Sequence, residues 1–258
     1  MKRILLFILL LCSGIGQTNL YAQNRKIVLL KLDDVHYGEN GAVVPERWQR
    51  VADYIEEKEL KAGFGVIGYS LAEDHPAYFK WIKDIAARGY IEFWNHGYWN
   101  RTATDTIGEF ERSYDEQFRA LFLTDSLAKA KLSLELQVWG PHWSSTNEDT
   151  DRALSNMPGI RMTLGSPENP RYYKGFVFPS NFQMEYPVHN PDFDKFVEAY
   201  KGEWKNLEYF YLQGHPNSWD DVRWEHFTRI VDFLESEHVI FVTPSEFMDR
   251  MNISDCHE

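Results

Sequence analysis

The sequence predicts an α/β fold in which a parallel sheet, closed or nearly closed, is wrapped by helices. Three observations carry that expectation. Short apolar runs alternate with stretches of helical spacing some seven times, without a sequence repeat. The first run, residues 26–32, is apolar enough to be buried on both faces, as parallel strands are. Several runs also end in a polar turn that carries Asp, His or Asn, which is how such folds build a site at the strand ends.

Each element can be justified in turn. Residues 26–32 form a strand ending at Asp33-Asp34-Val35-His36. A helix opens near Pro45, where proline suits the first turn, and carries Trp48, Val51, Ala52 and Ile55 at helical spacing. Residues 64–69 are a second strand, and a helix over residues 76–88 stops at Gly89. The next strand starts at Ile91 and breaks at Asn95-His96-Gly97. Thr106 and Glu109 have capping-box spacing, which predicts a long helix with the face Phe110, Tyr114, Phe118, Leu121 and Phe122. Residues 134–139 form a strand that ends in Gly140-Pro141-His142-Trp143, and Ser145 with Glu148 caps a short helix reaching Met157. Weaker strands lie at residues 160–163 and 175–178, followed by a helix over 193–204 and a strand over 209–213 that ends in Gly214-His215-Pro216. A helix over 224–234, a last strand over 239–242 and a closing helix from Pro244 complete the chain.

Residues 1–22 stand apart from this pattern. Lys2 and Arg3 precede an apolar run over residues 4–11, and Ala22 supplies a small residue at a cleavage point. This is the anatomy of a secretory signal peptide, and the run is too short to span a bilayer. Cleavage after Ala22 and a secreted or periplasmic location are expected. Later segments offer no run long and apolar enough for a transmembrane helix. Cys12 lies in the leader, so Cys256 is left alone in the mature chain, without a partner for an internal disulfide. The formal net charge of −12, with no Lys/Arg cluster, argues against nucleic acid as a partner. The remaining length suits a single α/β barrel.

Asp33, Asp34, His96, His142 and His215 all fall just past predicted strands. In order, Asp-Asp, Asn-His-Gly-Tyr, Gly-Pro-His-Trp and Leu-Gln-Gly-His-Pro resemble the motifs of the polysaccharide deacetylases, the NodB-like carbohydrate esterases. The likeness runs from Asp33 to His215. It implies a distorted (β/α) barrel of about seven parallel strands over residues 23–258, acting as a monomer on a polysaccharide. It also implies Asp33 as general base, Asp34 and His96 as metal ligands, and His215 as general acid. The family's ligand set is completed by a second histidine four residues after the first, and Asn100 stands at that position here. Asn100 is read either as the third ligand or as a turn residue. The family's Arg-x-Pro-aromatic motif reads Trp139-Gly140-Pro141-His142, so the arginine that braces the base is missing.

The expected reaction removes N-acetyl or O-acetyl groups, with a divalent metal activating water and polarising the carbonyl. Zinc is the first expectation, and an amide ligand at Asn100 would also suit manganese, cobalt or nickel. Asp33 would take the water proton and His215 would protonate the leaving group. A backbone N–H near Gly140-Pro141, or Tyr37, could help to hold the oxyanion. Tyr37, Trp99, Pro141, His142 and Trp143 are the expected substrate contacts, and Trp94, Trp139 and Trp219 are also placed beside the site, where flat apolar faces suit sugar rings. Two alternatives stand beside this reading. One is a non-catalytic sugar-binding pseudoenzyme of the same fold. The other is a glycoside hydrolase, which would need a carboxylate such as Glu148 or Asp149 opposite Asp33.

Overall fold

A computed structural model describes residues 25–99, 102, 104–143, 145–179 and 183–253. Residues 1–22, expected to be a signal peptide, and Asn100 lie outside the described residues. The sheet runs in the order β6 (Phe176–Phe178), β5 (Met162–Leu164), β4 (Val138–Trp139), β3 (Ile91–Asn95), β2 (Ala62–Val66), β1 (Ile27–Val35), β7 (Tyr209–Gly214). Every pairing is parallel, and β8 (Ile240–Phe241) adds to the start of β1. Between the ends of this path, β6 and β7, the described residues form no ladder. The gap is bridged at Gln183 and Gln213, and the Phe178 ring lies against Tyr209 and Tyr211 at 5.3 and 5.4 Å. The predicted barrel of parallel strands is therefore present, with one seam closed by side chains.

Strand alternation divides β1 cleanly. Val28, Leu30 and Leu32 face the helices in the larger core, with Trp48, Val51 and Ile55 of α1 (Glu46–Glu57). Leu29 belongs to the barrel interior with Trp94, Met162, Phe178 and Phe247. Period-two geometry puts Lys31 and Asp33 on that same inner face, and both are buried. The outer layer is completed by α2 (Pro76–Ala87), α3 (Tyr114–Leu127), α4 (Glu148–Ser155), α5 (Phe193–Lys201), α6 (Asp221–Ser236) and α7 (Pro244–Arg250). Among the described residues no helix is long and apolar enough to cross a membrane.

Several expected boundaries move. The helix predicted to be capped at Thr106 is capped seven residues later, because Ser113 with Glu116 forms the capping box, Glu116 accepting from Ser113 N at 3.2 Å. Its buried face is also rotated, to Gln117, Ala120, Leu121 and Thr124, and Phe122 is exposed. The reason is that α3 packs on polar loop backbone: Thr124 donates to Gly97 O at 3.0 Å and Gln117 to Arg112 O at 2.6 Å. Tyr114, Phe118 and Phe122 stack instead along the helix edge at i, i+4 spacing. The strand expected at 134–139 shrinks to Val138–Trp139, since the helical path continues to Leu132 and turns at Ser133, φ +60°. The cap of α4 is Asn147, whose side chain accepts from Asp149 N and Thr150 N.

Candidate active site

The site begins with a bulge. Between Leu32 and Val35 the β1–β2 register slips by one residue, and Asp34 adopts φ +76°. Adjacent strand residues normally point to opposite faces. Here the left-handed turn at Asp34 brings its carboxylate to the same mouth as that of Asp33. A pair of aspartates at a strand end thereby becomes a two-carboxylate site.

His96 arrives from the end of β3. Its Nδ1 donates to Gly140 O at 2.8 Å, which leaves Nε2 facing Asp34 Oδ1 at 3.3 Å. Fixing one ring nitrogen on a carbonyl sets the tautomer that offers the other as a ligand. Gly97 follows at φ +80°, a conformation that suits glycine, and a Cβ there would run into the Glu109 carboxylate.

The third member of the cluster is His142, placed by the Gly140-Pro141 turn after β4. Its Nδ1 stands 3.1 Å from Asp34 Oδ1, and its ring meets that of His96 edge-on at 5.3 Å. Ligand atoms of Asp34, His96 and His142 lie within 4.8 Å of one another. Burial alone would raise the Asp34 carboxyl, but the imidazoles of His142 and His96 hold it well below the usual carboxylate range. One anionic oxygen with two imidazole nitrogens, mostly buried, is a donor set that fits a divalent cation such as zinc.

Asp33 faces this cluster from the barrel interior. Its Oδ2 accepts from Lys31 Nζ at 2.5 Å and Gln213 Nε2 at 2.7 Å, while Oδ1 is buried without a hydrogen-bond partner among the described residues. His215 Nε2 lies 3.8 Å from Asp33 Oδ2 on the opposite side. The other nitrogen of His215 donates to Glu185 Oε2 at 2.7 Å. Glu185 is buried and also accepts from His215 N, Trp219 Nε1 and His189 N. Burial would lower the imidazole of His215, yet Glu185 and the charge of Asp33 raise it.

Of the predicted residues, Asp33, Asp34, His96 and His215 do converge. His142 was expected on the substrate and instead stands in the cluster with Asp34 and His96. Pro141 is buried in the turn that places it. Trp99 and Trp143 are about half exposed, with Trp99 stacked on Tyr69 at 5.6 Å and Trp143 strained at φ +69°. Tyr37 stacks on His75 at 3.9 Å. Trp94, Trp139 and Trp219, expected to flank the site with faces for sugar rings, are buried, and of them Trp94 does lie beside the site, edge-on to His96 at 4.8 Å. Trp94 fills the space over Gly65 and Gly140, Trp139 packs on Phe110 at 4.7 Å, and Trp219 serves Glu185. Glu148 is exposed at the start of α4 beside a separate polar cleft, a position that lends nothing to a paired-carboxylate site.

Three contributors escaped sequence reasoning. Lys31 had a signal, since a lysine two residues before Asp33 in an apolar strand must share its inward face. Glu185 and His189 had none, because they come from an irregular segment that only the fold brings to His215, with the two imidazoles 4.4 Å apart. A cavity of about 730 Å³ opens beside His142, lined by Trp99, Tyr98, Arg112 and Arg119. Glu109 closes it by accepting from Tyr98 N and Trp99 N at 2.9 Å, and burial pushes its carboxyl up to about 7 despite those bonds.

Behind His96, Asn95 donates to Asp125 at 2.8 Å and accepts from Gly97 N at 2.9 Å. Burial raises the Asp125 carboxyl to about 7, with Asn95 only partly opposing it. A carboxyl raised on folding contributes stability that is complete below its unfolded pKa and lost as pH rises through the folded one. Asp125→Asn keeps the acceptor and removes that loss. It should therefore raise the melting midpoint by several degrees at pH 8 and change it little at pH 4. Equal shifts at both pH values would show that Asp125 does not titrate in this window.

Comparison with known proteins places the fold. No protein-family model matches the chain, and no curated protein matches it by sequence. Solved structures do match. The Xyl-CE4 domain of a multidomain xylanase from the hindgut metagenome of Trinervitermes trinervoides superposes with TM-score 0.61 at 15% identity, over 91% of this chain and 95% of that one. A family 4 acetyl xylan esterase from Clostridium thermocellum, solved with a cobalt ion, gives 0.61 at 16% identity, over 89% and 93%. This chain has the CE4 carbohydrate esterase fold. A CE4 pseudoenzyme from Bacillus anthracis also matches, with TM-score 0.60 at 16% identity, over 87% of this chain and 66% of that one. The CE4 fold is thus shared here by chains described as enzymes and by one described as a pseudoenzyme.

Proposed function

We propose that this protein is an exported, metal-dependent deacetylase that removes N-acetyl or O-acetyl groups from a polysaccharide. The observation that carries the reading is the convergence of Asp34, His96 and His142 beside a second carboxylate and a buried histidine–glutamate pair. A divalent cation held by Asp34, His96 and His142 would supply Lewis-acid activation of water and of the acyl carbonyl. Zinc fits the donor set best, and cobalt, manganese and nickel are the alternatives.

The chain's own residues account for the proton traffic. Asp33, whose Oδ2 lies 3.7 Å from His96 Nε2 and 3.8 Å from His215 Nε2, is the carboxylate beside the cluster for accepting the water proton. His215, with Nδ1 committed to Glu185, presents Nε2 toward the site and is held in favour of its protonated form, as a proton donor to the leaving group requires. Trp99 and Trp143 offer exposed ring faces on which sugar rings can stack. The leader over residues 1–22 would deliver the enzyme to extracellular or periplasmic glycans.

The test is acetate release by the purified mature chain from acetylated xylan and from N-acetylated chitosan oligomers, after loading with zinc, cobalt, manganese or nickel. Release that depends on metal supports the reading, and the preferred polymer tells nitrogen from oxygen as the acyl carrier. A chain that is silent with every metal yet retains the glycan on an affinity column would be a sugar-binding pseudoenzyme.

A further inference from the structure

Lys31 is the most unusual side chain in the barrel. It is 3% exposed, on the inward face of β1, where its strand neighbour on that face is Leu29. Desolvating an ammonium is costly unless it is paired and surrounded by acceptors or aromatic faces. Both conditions are met. Nζ lies 2.5 Å from Asp33 Oδ2, 5.1 Å from the Trp94 ring and 6.0 Å from the Tyr211 ring. Room for the chain comes from Gly140, where a Cβ would already touch Lys31 Cε at 3.4 Å.

The pairing makes the two oxygens of Asp33 unlike. Oδ2 takes both donors, Lys31 and Gln213, and Oδ1 is buried without a hydrogen-bond partner among the described residues. A carboxylate held through one oxygen by a cation and an amide has its rotamer fixed, and here that fixes it with Oδ2 3.7 Å from His96 Nε2 and 3.8 Å from His215 Nε2. We propose that Lys31 is the positioning residue of Asp33, a cation supplied from two places earlier on the same strand, in a barrel whose Gly140-Pro141 turn brings no arginine to the carboxylate. This rests on the proposed role of Asp33 as base. Gln213 alone is neutral and would leave Oδ2 with one donor, so the charge as well as the reach of Lys31 is required.

The experiment compares wild type, Lys31→Arg and Lys31→Met as full mature chains loaded with cobalt, reading kcat, KM and metal affinity. Lys31→Met should lower kcat by about 100-fold or more, within the range that a general base contributes, with KM and cobalt affinity unchanged. Lys31→Arg should recover most of that loss, because a guanidinium keeps the charge on Oδ2. Undiminished kcat in Lys31→Met, or a loss carried by KM or by cobalt affinity, would overturn the proposal. The melting midpoints of Lys31→Met, Asp33→Asn and the double variant are read in parallel. A buried pair predicts that each single change destabilises and that the double change costs less than their sum. Strict additivity overturns the pairing even where Lys31→Met folds too poorly for kinetics. A wild type that binds cobalt but releases no acetate defeats the deacetylase reading, and with it the base that Lys31 positions, whatever the midpoints show.

Discussion

His142→Ala should reduce zinc or cobalt affinity by more than the ~10–100-fold that loss of an outer partner of a metal ligand typically costs. Asp34 Oδ1 has an imidazole nitrogen on each side, His96 at 3.3 Å and His142 at 3.1 Å, and no other His, Cys, Asp or Glu among the described residues joins that group. Two ligands leave a labile ion, and the third decides retention. The sequence offered Asn100 for that place, at the spacing where the resembling family carries histidine. A neutral amide oxygen is a poorer zinc donor than imidazole. Calorimetric titration of wild type, His142→Ala and Asn100→Ala with zinc separates the two. The expected result is one site in wild type, near loss in His142→Ala and an almost unchanged constant in Asn100→Ala. The reverse pattern would return His142 to the substrate and make Asn100 the ligand.

The second large effect is expected at the other side of the site. His215→Ala should lower turnover by about 10²–10⁴-fold while metal stays bound, the usual loss when a positioned proton donor is removed. Glu185→Gln is the finer probe. Burial works against a charged His215, and Glu185 is foremost among the groups that raise it. The protonated form is the donor, so activity falls as pH rises through the raised pKa. Replacing the carboxylate by an amide removes part of the upward push, and the alkaline limb of the kcat profile should move to lower pH. The same sign holds for stability. A raised histidine contributes stability that is complete below its unfolded pKa and lost as pH rises through the folded one, and Glu185→Gln should flatten that loss. A limb that stays in place in Glu185→Gln, with full turnover in His215→Ala, would make this pair a structural corner that holds Trp219 and His189.

The sequence by itself determined the barrel of parallel strands and the mouth where chemistry is placed. Both follow from local rules: apolar runs such as residues 26–32 can only be buried on two faces, and the polar turns that end them can only stand at the rim. Asp33, Asp34, His96 and His215 were legible for that reason, because each is fixed by its own strand. Lys31 belonged to the same class, since the period of a strand puts it with Asp33. The tertiary structure decided what depends on approach between segments. It took His142 from a presumed sugar contact to the side of Asp34, because the turn after β4 leans over β3 through the Gly140 carbonyl that holds His96. It sank Trp94 into the barrel interior and Trp139 and Trp219 into the layer between sheet and helices, since both volumes have to be filled. It also brought Glu185 under His215 from an irregular segment thirty residues away. No periodicity marks such a residue. Its position is set by where the backbone of two distant loops is packed, and only the folded chain holds that information.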